Sequence, residues 1–147
     1  MTILVTDQGF QADIQTPHYQ PIDKLDTTDD VDALEIPNTT DPHSLQLDNI
    51  QYIRIPFPKF TDGRGFTLAR QLRLLGYRGK LQAAGALLAD QYANARQVGF
   101  DEVEISAELA ARQPEHQWQA KADWPDYDYQ ARLGGNNQAL STTLIDV

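Results

Sequence analysis

Residues 50–57 (IQYIRIPF) alternate, with Ile53 and Ile55 on one face and Tyr52 on the other, the two-residue period of a half-buried strand. Pro56 and Pro58 are expected to end ladder hydrogen bonding there. Beyond residue 66 the period lengthens. Leu68, Leu72 and Leu75 at i, i+4 and i+7 predict a helix over 67–75, with Arg70 and Arg73 on its other side and Gly76 placed to end it. Residues 80–84 then read as a short strand after a turn at Gly79. Leu88, Tyr92, Ala95 and Gly99 keep helical spacing along a second helix that stops at the glycine. Residues 102–105 form a strand with Val103 and Ile105 on one face, and Ser106 is a side-chain cap for a helix running to Gln113.

The chain's beginning follows other rules. Residues 2–6 (TILVT) and 10–15 read as strands joined by the Asp7-Gln8-Gly9 turn, an N-terminal hairpin over 1–15. Residues 16–32 carry Pro17, Pro21 and a cluster of Asp and Thr, the composition of an exposed connection. A strand at 33–36 follows, and Asp41-Pro42 opens a short helix through Leu47. Strands alternating with helices through short loops specify βαβ units. The expectation is therefore one α/β domain over 33–132, with a parallel sheet of about four strands, half-barrel or flavodoxin-like. Trp118, Trp124, Tyr127 and Tyr129 lie among Asp123, Asp126 and Asp128. They either close the core, the expected role, or present an acidic, aromatic docking surface. Residues 133–147 are expected to be a disordered tail.

Composition narrows the chemistry. The 147 residues include no Cys, which excludes a disulfide, a catalytic thiolate or a cysteine-held metal cluster on this chain. No apolar run approaches the roughly eighteen residues needed to span a bilayer, and no basic segment followed by an apolar one opens the chain; the expectation is a cytoplasmic protein with no membrane partner. The net charge of −9 argues against nucleic acid. That charge is uneven. Residues 51–100 hold Arg54, Lys59, Arg64, Arg70, Arg73, Arg78, Lys80 and Arg96 against only Asp62 and Asp90, while both flanks are acidic. Either these cations pair with the flanks or they attract an anionic ligand or an acidic partner.

The segment Lys59-Phe60-Thr61-Asp62-Gly63-Arg64-Gly65-Phe66-Thr67 lies between a predicted parallel strand and a predicted helix, where open parallel sheets and barrels bind ligands. Gly63 and Gly65 permit close backbone approach, the helix start offers N–H groups, and Lys59, Thr61 and Arg64 add donors suited to a small oxyanion. Asp62 fits Arg64 pairing or turn capping, or, in a second reading, acid/base work. The segment is neither a P-loop nor a dinucleotide fingerprint. Asp90 and Gln91, at the start of the second helix, are secondary candidates with Arg70 and Arg73. His18, His43 and His116 lack metal-ligand spacing, so no metal is expected, and Ser44, Ser106 and Ser141 lack a nucleophile elbow.

The strings Phe57-Pro58-Lys59-Phe60-Thr61-Asp62-Gly63-Arg64-Gly65, Ala69-Arg70, Leu72-Arg73, Leu75-Gly76-Tyr77-Arg78-Gly79, Gly85, Asp90-Gln91, Arg96, Gly99-Phe100-Asp101 and Tyr129-Gln130 resemble the bacterial family called domain of unknown function 934, over roughly residues 31–130. The resemblance implies a place in assimilatory sulfite reduction, because family members are typically encoded beside the sulfite reductase haemoprotein subunit and are described as oxidoreductases. Where the family usually has Arg-Cys-Gly-Phe, this chain reads Arg96-Gln97-Val98-Gly99-Phe100, so no thiol acts there. With no flavin or nicotinamide motif, no cofactor is expected. The expected function is an accessory protein of sulfite reduction that docks on the haemoprotein subunit through Lys59, Thr61, Asp62, Gly63, Arg64 and Gly65. The alternatives are a small anion-binding enzyme with Asp62 as acid/base and Lys59 and Arg64 holding the substrate, and a structural interaction module.

Overall fold

The computed structural model describes residues 2–11, 17–24 and 31–122. The alternation at 50–57 becomes β5 (Tyr52–Phe57), an interior strand of a sheet that also contains β1 (Thr2–Thr6), β2 (Gly9–Gln11), β3 (Gln20–Pro21), β4 (Ala33–Glu35), β6 (Lys80–Gly85) and β7 (Glu102–Ser106). The order is β2-β1-β7-β6-β5-β4-β3. From β3 to β7 each strand lies parallel to the next in sequence, whereas β1 is antiparallel to both β2 and β7. Four helices accompany them among the described residues: α1 (Arg64–Leu74), α2 (Tyr92–Val98), α3 (Ala107–Arg112) and α4 (Glu115–Gln119).

The sheet is thus larger than the sequence pattern suggested: seven strands, mixed and mostly parallel, instead of about four parallel ones. The hairpin is part of it, since Ile3 and Val5 pair with Ile105 and Val103 and so cover the edge that β7 would otherwise expose. Residues 16–32, expected as an exposed connection, supply the opposite edge strand β3 and bury Tyr19. The sequential order β3 to β7 also lacks the reversal that gives a flavodoxin-like sheet its switch point.

The two faces of the sheet differ in chemistry. Ile53, Ile55 and Phe57 of β5 join Leu81, Ala83, Val103 and Ile105 in a buried cluster with Leu68, Ala69 and Leu72 of α1 and Tyr92 and Ala95 of α2. On the other face the strand neighbours are polar. Arg54 Nε donates to Glu35 Oε1 at 2.7 Å and Gln82 Nε2 to Glu102 Oε2 at 2.7 Å, both between register partners. Lys80 also pairs with Glu102 at 3.1 Å. Tyr19 lies over Arg54, its ring centroid 4.6 Å from the guanidinium carbon, and burial there raises its pKa, with the Glu102 charge adding to the effect.

Four local departures have physical causes. Helix α1 starts at Arg64, three residues before the expected Thr67, because Asp62 Oδ1 accepts from the Arg64 N–H at 3.1 Å and turns the chain early. Pro56 does not end the ladder: β5 pairs with β6 through Phe57 and Gly85. Tyr52 N–H and Arg54 C=O point toward β4, so the nitrogen of Pro56 faces the same side, where β4 has already ended at Glu35. After Asp41 the expected helix is a single turn, Pro42–Ser44; the cap forms, with His43 N–H on Asp41 Oδ1 at 3.0 Å, but Leu45 is extended. Leu75, expected on the apolar stripe of α1, is the exposed C-cap, and Gly76 follows at φ +99°. Gly99 ends α2 at φ +121°, as its position predicted. No helix among the described residues is long and apolar enough to cross a membrane.

Candidate functional site

The loops after β4, β5 and β6 meet at the carboxyl ends of the strands. Asn38, three residues beyond β4, donates from Nδ2 to Asp62 Oδ2 at 3.0 Å. Gln91 spans the other side: its Nε2 donates to Phe60 C=O at 2.8 Å and its Oε1 accepts from Leu88 N–H at 2.9 Å. The segment 59–63 is therefore held from both neighbours. Gly65, inside the first turn of α1, lets the helix lie directly on the Phe57 ring, since a Cβ there would overlap it. Phe57, Phe66 and Phe100 pack as a ring cluster beneath this turn, with centroids 5.0 to 6.5 Å apart.

Asp62 is the electrostatic centre of the loop. Besides Asn38 and the Arg64 N–H, it accepts from Arg64 Nε at 2.9 Å and Arg64 Nη2 at 2.7 Å, a bidentate pair. The side chain and then the N–H of Arg64 hold its carboxyl well below the usual carboxylate range. Such a group stays ionised and fully engaged, which suits pairing and turn formation and does not suit proton transfer near neutrality. Its carboxylate also takes the Arg64 N–H, one of the helix-start donors counted toward a small oxyanion.

Most of the basic segment is spoken for. Arg54 pairs with Glu35 and Glu104, Arg73 with Asp101, Lys80 with Glu102 and Arg96 with Asp7, all carboxylates from the flanks, and Arg64 pairs with Asp62. Lys59, Arg70 and Arg78 are exposed and make no ion pair among the described residues. Arg73 is not on the solvent side of α1. Its guanidinium donates to Gly99 C=O at 3.1 and 2.8 Å, to Tyr77 C=O at 3.0 Å and to Gly79 C=O at 2.7 Å, and so ties together the loops before β6 and β7. Asp90 is exposed, with Lys121 at 3.9 Å, whereas its neighbour Gln91 belongs to the loop clamp. His18, His43 and His116 lie on separate elements, and His43 contacts Asp41 at 3.2 Å.

Two features escaped sequence reasoning. Phe60, between Lys59 and Thr61, is 50% exposed, the side chain in the loop that a partner would meet first. Beside it a cavity of about 440 Å³ is lined by Leu88, Leu109, Arg112 and Gln113 from the segments after β6 and β7. The exposure of Phe60 is a tertiary property, but Asn38 was legible as a polar residue just past a strand end.

A sequence model of bacterial proteins of unknown function (DUF934) matches residues 33–139. No curated protein and no solved structure matches the chain.

Proposed function

The chain belongs to the DUF934 family of bacterial proteins of unknown function, and from that premise we propose that it is a binding protein whose strand-end face docks on a protein partner. The observation that carries the reading is Phe60: a large apolar side chain, half exposed, next to Lys59, a cation with no ion pair among the described residues, on a loop that Asn38 and Gln91 fasten from both sides. A rigid aromatic flanked by positive charge fits an interface with an apolar centre and an acidic rim. The engagement of Asp62 by Arg64 and Asn38 favours this over acid/base catalysis at the same loop.

The partner we propose is the sulfite reductase haemoprotein subunit, the protein beside which family members are typically encoded, and the role is accessory to sulfite reduction in the cytoplasm. Sedimentation of the purified chain with that subunit tests the partner and the docking face. Wild-type protein is expected to associate, and Phe60→Ala combined with Lys59→Glu to weaken association at least tenfold, about 1.4 kcal/mol. No association at about 50 µM, where binding of even about 6 kcal/mol would register, would remove this partner. Association that the double variant leaves unchanged would remove this face.

A further inference from the structure

Phe60 does not stand on a flat surface. It borders a cavity of about 440 Å³ at the carboxyl ends of β6 and β7, a volume in the range of ligand pockets. Gly85 at the end of β6, Ala86, Leu88 and Leu109 of α3 give the cavity mainly apolar walls. The polar groups of those walls are already committed. Ser106 Oγ accepts from Leu109 N–H at 3.1 Å, Gln113 Oε1 accepts from Ala89 N–H at 2.6 Å, and Gln113 C=O accepts from Trp118 Nε1 at 2.8 Å. Walls fixed in this way lose little freedom when the cavity is filled.

The charge around the opening has one sign. Arg112 lines the cavity and is exposed, and its side chain makes no hydrogen bond or ion pair among the described residues. The Lys59 side chain, next to Phe60, is in the same state. None of the described lining residues is a carboxylate. An apolar recess bordered by cations selects an apolar group with negative charge beside it, whereas a neutral group leaves Arg112 unused and a cationic one is repelled.

We infer that the cavity receives one apolar side chain of the protein that docks on Phe60, and that a carboxylate adjoining this side chain in the partner pairs with Arg112. The inference rests on the docking reading above and adds to it the element that the partner presents, an apolar anchor with an acidic neighbour. Lys59 and Phe60 keep their places in that reading: Phe60 is one wall of the recess and the ring that the partner crosses, and Lys59 faces the acidic rim. An anchor seated in a recess and ringed by weaker contacts is the usual form of an interface hot spot.

Two measurements test this, and the first needs no partner. The nitrogen-15-labelled chain is titrated with 4-phenylbutanoate, 4-phenylbutan-1-ol and 4-phenylbutylamine, which share an apolar body and differ in charge. The carboxylate is expected to bind most tightly and the amine least, with saturable shifts at the amides of Ala86, Leu88, Leu109 and Gln113. Arg112→Glu should invert the order of carboxylate and amine while the affinity of the alcohol stays within about twofold. No saturable shift up to about 20 mM, where millimolar binding registers, or a preference that Arg112→Glu leaves unchanged, would overturn the inference.

The second measurement is sedimentation with the haemoprotein subunit. Ala86→Trp fills the recess from a half-buried wall position and Arg112→Glu changes an exposed one, and both leave Lys59 and Phe60 in place. Each is expected to weaken association by about threefold or more. Association unchanged in Arg112→Glu, or in a folded Ala86→Trp protein, overturns the pocket and leaves the Phe60–Lys59 face standing. A wild-type chain that does not associate removes the subunit as partner, and the titration then decides the pocket by itself.

Discussion

Tyr92 of α2 donates its hydroxyl hydrogen bond to Asp7 Oδ1 at 2.5 Å, joining residues that are 85 positions apart. The same carboxylate accepts from Arg96 Nε at 3.2 Å and Nη2 at 3.1 Å, so the turn of the N-terminal hairpin is fastened to a helix of the main domain. Burial, then the bond to Asp7, raises the Tyr92 pKa and keeps the hydroxyl a donor. Tyr92→Phe is expected to lower stability by about 1–2 kcal/mol, the range for a hydrogen bond to a charged acceptor at a partly exposed site. Urea denaturation gives the value, and an unchanged midpoint would mean that the Tyr92 hydroxyl adds nothing to the Arg96–Asp7 pair and the β1–β7 pairing that also hold the hairpin.

Arg73 makes one ion pair and reaches three loop carbonyls. A lysine at that position keeps the charge but has neither the planar fork nor the reach to serve Gly99, Tyr77 and Gly79 together. Arg73→Lys should cost about 2–4 kcal/mol, while Arg70→Lys, on the exposed side of α1, should change stability by less than about 0.5 kcal/mol. Thermal unfolding of the two variants side by side checks the contrast.

Gly65 reverses an ordinary expectation. Glycine to alanine inside a helix normally stabilises by about 1 kcal/mol, yet here the added methyl meets the Phe57 ring. Gly65→Ala should therefore destabilise, by about 1–3 kcal/mol, as overpacking does. Stabilisation on chemical denaturation would show that α1 can move off β5.

The buried hydroxyl of Tyr77 has no hydrogen-bond partner among the described residues, and burial pushes its pKa up to about 12. The unfolded value is lower, about 10, so the neutral form is favoured by folding. Its stabilising contribution is complete below pH 10 and is lost as pH rises toward 12. Tyr77→Phe should be neutral or stabilising by up to about 1 kcal/mol at pH 7, since no bond is broken and a desolvated hydroxyl is removed. The variant should lose less stability between pH 10 and 12 than the wild type, measured by urea midpoints across that window.

Asp62 gives the opposite pH behaviour. Its folded pKa is depressed below the ordinary carboxylate value, so its contribution is present above about pH 4 and is lost as acid protonates it in the folded state. The stability difference between wild type and Asp62→Asn should accordingly shrink from pH 6 toward pH 3. A difference independent of pH would mean that the charge of Asp62 does not hold the loop.

What the sequence settled by itself was local. The alternation of Ile53 and Ile55, the positive-φ glycines Gly76 and Gly99, and the caps at Asp41 and Ser106 depend on residues within one turn or one strand, and each appears where its chemistry requires. The family, too, was legible in the string around Asp62. Only the tertiary structure decided the rest. β3 has two residues and no periodicity to detect; it exists because β4 presents a parallel edge and Tyr19 finds Arg54 to cover. Helix α4 has only five residues, and Trp118 buries against Tyr92 from it, with ring centroids 6.2 Å apart. The charges changed meaning most. In the sequence the middle third looks like a basic patch, but folding brings Asp7, Glu35, Asp101, Glu102 and Glu104 against its arginines and Lys80: strand register sets Glu35 beside Arg54, and tertiary packing sets the turn at Asp7 against α2 and Asp101 against α1. Among the candidate donors of the strand-end loop, Lys59 has no ion pair among the described residues and stands exposed beside Phe60, and that shared exposure is what no linear spacing encodes.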